Sequence, residues 1–178
     1  MMLRKGVDPM SELSGCTFRY PLSPGLRLFE KIRVFADCEL SQLQLLTPLA
    51  LVVHSMEKQM EKEALSFDIG LPINCIFSGR DSFSLKLLPE EKAAAARILF
   101  FSVPRLEPNY GSKALYTILA EKLCQQIWNI PDQTLAAFKA FEVLRHIFPD
   151  LEIREIYSAK IASRYLEWIA SHPEAPSL

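Results

Sequence analysis

Apolar positions in this chain recur at helical steps over most of its length, with one stretch where the step drops to two. Ser23-Pro24 suits an N-cap and first helical turn, and Leu28, Phe29, Ile32, Phe35 and Ala36 follow it at helical spacing. Thr47-Pro48 opens a stronger helix, expected to run to about Leu65. Its Leu49, Val52, Val53, Met56 and Met60 trace one face, with Glu57, Lys58, Glu61 and Lys62 on the polar side. Two methionines one turn apart on such a stripe read as core rather than as an adaptable groove.

The period then changes. Phe83, Leu85 and Leu87 alternate with polar residues, as do Ile73, Cys75 and Phe77 before them, and Ser78-Gly79-Arg80-Asp81 between the two sets has turn chemistry. This pattern predicts a β-hairpin over 71–88, with its apolar face packed on the helices because two strands alone are marginal. Pro89-Glu90-Glu91 restarts a helix that continues through the apolar run ending at Phe101, until Val103-Pro104 and Pro108-Asn109 break it. Beyond Ser112 three helices are expected, at about Lys113 to Trp128, Asp132 to Phe148, and Asp150 to Ala170, joined by short links.

The expected fold is therefore mostly α, or α+β if the hairpin is counted: a compact bundle of five or six helices with one β-hairpin near residues 71–88. A flexible N-terminal arm is expected at 1–20, a single helical domain with the hairpin insert at 21–171, and a flexible tail at 172–178.

Composition adds bounds to this picture. The 178 residues are 49% hydrophobic and 23% charged, enough apolar surface for one folded core. With 20 Lys and Arg against 21 Asp and Glu, the net charge of −1 disfavours nucleic-acid binding, which draws most of its affinity from a basic excess. The first residues lack the apolar stretch of a signal peptide. Leu45 to Val53, the most apolar run, is interrupted by Thr47-Pro48 and too short to span a bilayer. The four cysteines are scattered without C-x-x-C spacing, as expected of reduced thiols in a soluble cytoplasmic protein.

Little in the sequence points to chemistry. The three histidines, His54, His146 and His172, have no Cys, His or carboxylate at a ligand spacing, so no metal is expected; His146 falls in the last turn of a helix, where a positive charge is favourable. Neither phosphate-cradling glycine motifs nor a nucleophile elbow occurs among only six glycines, so no cofactor and no catalytic residue is assigned. Cys124 has no neighbour that would lower its thiol pKa, and Glu90-Glu91 is explained as a helix first turn.

One arrangement stands out in the last helix. Ile153, Tyr157, Ile161 and Trp168 fall in a stripe about 80° wide at ~100° per residue. Arg164 lies within that stripe and Lys160 at its edge. Such a face is either an Arg stem packed under an aromatic ring or an exposed binding patch of Tyr157, Lys160, Arg164 and Trp168.

These absences favour a non-catalytic protein–protein interaction module, an adaptor, chaperone-like or regulatory protein whose partner is another protein. The alternative is a small enzyme or ligand-binding domain with a dispersed site where the hairpin meets the helices, around Arg80, Arg97 or Arg105 with Tyr110. Convergent polar groups at a pocket would favour the second reading, and a large exposed apolar patch the first.

Overall fold

A computed structural model describes residues 18–81 and 96–172. The chain is α+β. A four-stranded mixed sheet is formed by β1 (Phe18–Tyr20), β2 (Ile32–Ala36), β3 (Ile73–Ser78) and β4 (Arg97–Ser102), hydrogen-bonded in that order. β1 is antiparallel to β2, whereas β2, β3 and β4 are parallel to one another. Six helices accompany the sheet among the described residues: α1 (Thr47–Lys62), the single turn α2 (Val103–Leu106), α3 (Lys113–Ile127), α4 (Gln133–Leu144), the single turn α5 (Ile153–Ile156) and α6 (Ala159–Ser171). None is long and apolar enough to cross a membrane.

The sheet replaces the expected hairpin. β3 occupies the first half of the predicted hairpin, but it lies inside the sheet and pairs in parallel with β2 and β4. The predicted second arm, Phe83 to Leu87, and the helix start at Pro89 lie outside the described residues. Two predicted helices are strands instead. From Ile32 to Ala36 the chain is β2, preceded by turns over 24–31, and the apolar end of the second helix, Arg97 to Ser102, is β4. The reason is the same in both cases: a short apolar run lacks a period that separates a buried strand from a helix. Ile32, Val34 and Ala36 enter the core from one face of β2, and Leu99 and Phe101 from β4. β3 is buried at every position, as parallel strands with both faces covered are. The expected arm likewise yields at its end, because Phe18–Tyr20 pairs with Val34–Ala36 as β1; residues 1–17 and 173–178 are outside the described range.

The helix at Thr47 forms as its pattern predicts, extended backwards by a π-helical turn over Gln42–Leu46 that is capped by Ser41 Oγ accepting from Gln44 N–H at 3.3 Å. α1 connects β2 to β3 in a β-α-β unit, and its Leu49, Val52, Val53, Met56 and Met60 share one core with Ile32, Val34, Ile73, Cys75 and Phe77. One of its acids departs from the expected polar face. Glu57 is buried, and its Oε1 accepts the Leu28 N–H at 2.8 Å, tying the turns before β2 to the helix. That bond satisfies both a buried carboxylate and a backbone donor.

α3 and α4 also follow the sequence pattern. Asn129, at φ 51°, ends α3 in the left-handed region, and Asp132 caps α4 by accepting the Leu135 N–H at 2.8 Å. Ala136, Ala137 and Ala140 are buried in α4, which packs on α3 and α1. The predicted third helix is instead two. Tyr157 (φ −129°, ψ 157°) and Ser158 (φ −62°, ψ 157°) are extended and separate α5 from α6. Before them, Glu152 and Glu155 form a capping box, and Glu155 is paired with Lys113 of α3.

The helices are joined by a half-buried polar cluster. Glu63, just past the end of α1, accepts from Lys139 Nζ at 2.5 Å, Trp128 Nε1 at 2.7 Å and Gln59 Nε2 at 2.6 Å. Lys139 donates also to Glu142 Oε2 at 2.6 Å, and His146 Nε2 reaches Gln59 Oε1 at 2.9 Å. Burial pushes the Glu63 carboxyl up, but the bonds from Lys139, Gln59 and Trp128 outweigh it and hold the group below its ordinary value of 4.5. His146 does not follow the helix-end expectation: burial, with Lys62, Lys58 and Arg145 nearby, lowers its pKa and favours the neutral ring.

Glu63→Ala should lower stability by about 3 kcal/mol in urea unfolding, because it strands three donors at once. A carboxyl whose folded pKa lies below its unfolded value contributes fully above that unfolded value. The contribution is lost as pH falls through the folded pKa, so the difference from wild type should shrink below about pH 4.

Candidate functional site

Three parallel strands end at one edge of the sheet, and each passes there from apolar to polar residues. β2 ends Ala36-Asp37-Cys38, β3 ends Phe77-Ser78-Gly79-Arg80-Asp81, and β4 ends Phe101-Ser102. The register Ala36↔Phe77 and Phe77↔Phe101 brings these ends side by side. The carboxyl ends of parallel strands are where α/β sheets place ligands. Strand order here runs in one direction without reversal, so the site is an edge rather than a crevice at a switch in order.

Asp37 organises one half of this edge. Its N–H donates to Phe77 O at 3.2 Å, while its carboxylate accepts from Ser78 Oγ at 2.6 Å and from Gly79 N–H at 2.7 Å. Ser78 Oγ in turn accepts the Arg80 N–H at 3.1 Å. Burial pushes the Asp37 carboxyl up, yet the Ser78 and Gly79 bonds, with contributions from Cys38 and the Arg80 charge, hold it below 3.8. The backbone passes close to Cys38 at Gly79, where a Cβ would lie 3.3 Å from Cys38 Cβ and the neighbour would have to give by a few tenths of an ångström.

Asp81 organises the other half. Its Oδ1 accepts from Ser102 Oγ at 2.9 Å and from Arg105 Nε at 3.1 Å, which together lower its pKa. Arg105 is held through Nε alone, leaving both Nη groups without a partner among the described residues. The Arg80 guanidinium likewise makes no hydrogen bond or ion pair there. Cys38, Glu107 and Tyr110 complete the neighbourhood. Burial and then Asp37 raise the Cys38 thiol, while burial followed by Glu107 and Cys38 raises the Tyr110 phenol. No cluster of three or more His, Cys, Asp or Glu among the described residues is arranged to hold a metal ion.

Of the arginines singled out in the sequence, Arg80 and Arg105 thus meet at this edge with Tyr110. Arg97 lies at the opposite end of β4. There it donates to the carbonyls of Ile69 at 2.9 Å and Leu71 at 2.8 Å, and to that of Gln126. The sequence pattern marks Ser78 and Asp81 only as turn residues and gives no role to Asp37 or Ser102. Their signal is the polar residue closing each of three short apolar runs, which becomes readable only once those runs are known to be parallel strands.

The second candidate set is dispersed. Tyr157 stands at the break between α5 and α6, so it does not share a helical stripe with Lys160, Arg164 and Trp168. Its hydroxyl is buried against the Glu121 carboxyl, and burial together with Glu121 raises its pKa. Lys160 is exposed, and exposed Arg164 reaches Thr134 Oγ1 at 3.4 Å. Trp168 is half-buried in an aromatic stack, with centroids 5.8 Å from Phe138, 6.2 Å from Tyr165 and 5.1 Å from His172.

Two clefts flank β1 rather than the strand-end edge. One, of about 340 Å³, has Arg19, Arg33 and Glu30 among its walls; the other, of about 490 Å³, lies between Tyr20 and α1 and is mostly apolar. Neither contains any of the converging strand-end groups, and we place the candidate site where those groups are.

Cys38 should alkylate slowly at pH 7 despite its partial exposure, because a thiol pKa above 9 leaves less than about 1% thiolate. Asp37→Asn should speed the reaction, as followed by iodoacetamide labelling and mass spectrometry. In α6, Trp168→Ala should cost about 2 kcal/mol of unfolding free energy for the lost aromatic packing. Arg164→Ala should stay within about 0.5 kcal/mol of wild type, as exposed positions do.

No family model, curated protein or solved structure matches the chain.

Proposed function

We propose that this chain binds a small oxyanion-bearing molecule, a carboxylate or a phosphate ester, over the carboxyl ends of β2, β3 and β4. The observation that carries the reading is the state of the two arginines. Arg80 has no side-chain partner among the described residues and Arg105 has one, through Nε, so unsatisfied planar donors sit beside an ordered polar floor. Guanidinium groups with free Nη atoms match the paired oxygens of carboxylates and phosphates. Asp37 and Asp81 act as positioning groups: both Asp37 oxygens accept, from Ser78 and Gly79, and Asp81 Oδ1 accepts from Ser102 and Arg105.

Binding rather than covalent chemistry fits the nucleophiles at this edge. The Cys38 thiol is raised away from its reactive form, and the Ser78 hydroxyl is fully buried and committed to Asp37.

Protein recognition through α6 is the second reading, favoured by the exposed Leu166 and Ile169 on that helix. It draws less support from Tyr157, which the break between α5 and α6 removes from the face, and from Trp168, which is held in the aromatic stack.

Thermal unfolding against a panel of phosphorylated and carboxylated metabolites tests the proposal. A ligand present at about a hundred times its Kd stabilises by about 2.7 kcal/mol, a shift of several degrees. That shift should vanish in Arg105→Ala and fall in Arg80→Ala, while Arg164→Ala keeps it. A panel without any stabilising compound, or a shift that survives loss of both Arg80 and Arg105, rejects the reading.

A further inference from the structure

The strand-end edge leaves charges of both signs unengaged. Both Asp37 oxygens are taken, by Ser78 and Gly79, and Asp81 Oδ1 is taken by Ser102 and Arg105. Among the described residues the Arg80 guanidinium and both Arg105 Nη groups then remain on the cationic side. On the anionic side Asp81 Oδ2 accepts no hydrogen bond there, and the Glu107 carboxylate makes neither a hydrogen bond nor an ion pair. Arg80, Asp81, Arg105 and Glu107 are all exposed.

One segment brings the two signs together. Beyond β4, α2 and the turn Glu107–Asn109 carry the chain back over the strand ends. They set Arg105 beside Asp81 after β3, at 3.1 Å, and Glu107 and Tyr110 in the neighbourhood of Cys38 after β2. Beyond the effect of burial, Asp37 and Glu107 raise the Cys38 thiol and Glu107 raises the Tyr110 phenol, so the field on that side is negative. At this edge Asp37, Asp81 and Glu107 outnumber Arg80 and Arg105. A phosphate dianion would add its charge where acids are already in excess, and like charges in close contact are costly. A ligand with both a carboxylate and an ammonium group answers both sets. Its paired oxygens suit the planar Nη donors, and its N–H donors suit the unengaged carboxylate oxygens.

We propose that the ligand of this edge is a zwitterionic amino acid, its carboxylate held by Arg80 and Arg105 and its ammonium group by Glu107 and Asp81 Oδ2. The inference rests on the oxyanion reading given above and narrows it to one class. Glu107 becomes the specificity residue: a carboxylic acid without the ammonium group would leave it unpaired beside a second negative charge.

Isothermal titration calorimetry of the full chain is the test, with the common protein amino acids as probes. Each is compared with its deamino acid (alanine with propionate, leucine with methylpentanoate, phenylalanine with phenylpropionate), and inorganic phosphate is run alongside. At least one amino acid should bind, about tenfold or more tighter than its deamino acid. Glu107→Gln, close in shape and at an exposed position, should bring the two Kd values of that pair together by weakening the amino acid. Arg105→Ala should weaken both. Far-UV circular dichroism checks that each variant is folded. Phosphate or a deamino acid bound as tightly as any amino acid, and lost in Arg105→Ala, overturns this inference and leaves the oxyanion reading standing. So does a preference that survives Glu107→Gln. An amino acid whose affinity is indifferent to loss of both Arg80 and Arg105 overturns both. Binding of none of these probes overturns the amino-acid inference, and the metabolite panel then decides the oxyanion reading by itself.

Discussion

The parallel register of β2, β3 and β4 is the constraint on which the rest of this structure depends. Asp37 N–H on Phe77 O, Ile73 N–H on Lys31 O and Arg97 N–H on Pro72 O fix three strands so that all of them end at the same edge. In an antiparallel hairpin the residues after Ser78 would form a turn, and Asp37 and Ser102 would have no reason to meet them. In parallel they become neighbours, and Ser78–Asp37 and Ser102–Asp81 form as bonds between residues 41 and 21 positions apart. Local sequence carries none of this proximity.

Parallel strands need crossovers, and crossovers bring helices onto the sheet. α1 fills that role between β2 and β3, and its apolar stripe is used on the sheet side while its end is held by the helical half. Glu63 makes the second attachment. It receives Trp128 from beyond α3 and Lys139 from α4, so the sheet-bearing part and the α3–α4 pair share one polar fastening. Because Lys139 also binds Glu142 and its ammonium lies 5.7 Å from the Trp128 ring, the charge is satisfied from several sides. Half-burial is tolerable here only because each donor has an acceptor.

What could be read in the sequence follows from how local each signal is. α1, α3 and α4 announce themselves, because Thr47-Pro48, Ser112 and Asp132 mark starts and the apolar period persists for three turns or more. β2 and β4 are too short and too uniformly apolar for a period to decide between strand and helix. Their identity as strands comes from the partner strand, which lies 41 and 24 residues away in the register pairs Val34↔Cys75 and Cys75↔Leu99. The break at Tyr157-Ser158 was hidden for the opposite reason. The apolar period continues across it, and only Ser158, an N-cap type of residue inside that period, hints at a new start. Of the candidate sites, the arginine set was half legible: Arg80 and Arg105 share an edge, whereas the acids and serines that order it are visible only through the sheet.

Arg97 shows why residue type alone does not assign a role. It lies on the same strand as Ser102 and five residues from it, yet it sits at the amino end of the sheet, where its donors meet the carbonyls of Ile69, Leu71 and Gln126. Those carbonyls belong to the turn before β3 and to the end of α3, so the guanidinium closes the sheet against the helices. Burial lowers its pKa, the penalty of a cation held by neutral acceptors, and the guanidinium spends four of its five donors on those three carbonyls. At the carboxyl end the balance is reversed. Arg105 spends one donor on Asp81 and Arg80 none on any described side chain, and both are exposed. A cation whose donors are consumed by the fold stabilises the fold; one whose donors are left in solvent beside an ordered floor is available to an anion. That difference in hydrogen-bond accounting, rather than the presence of arginine, is what separates the two ends of β4.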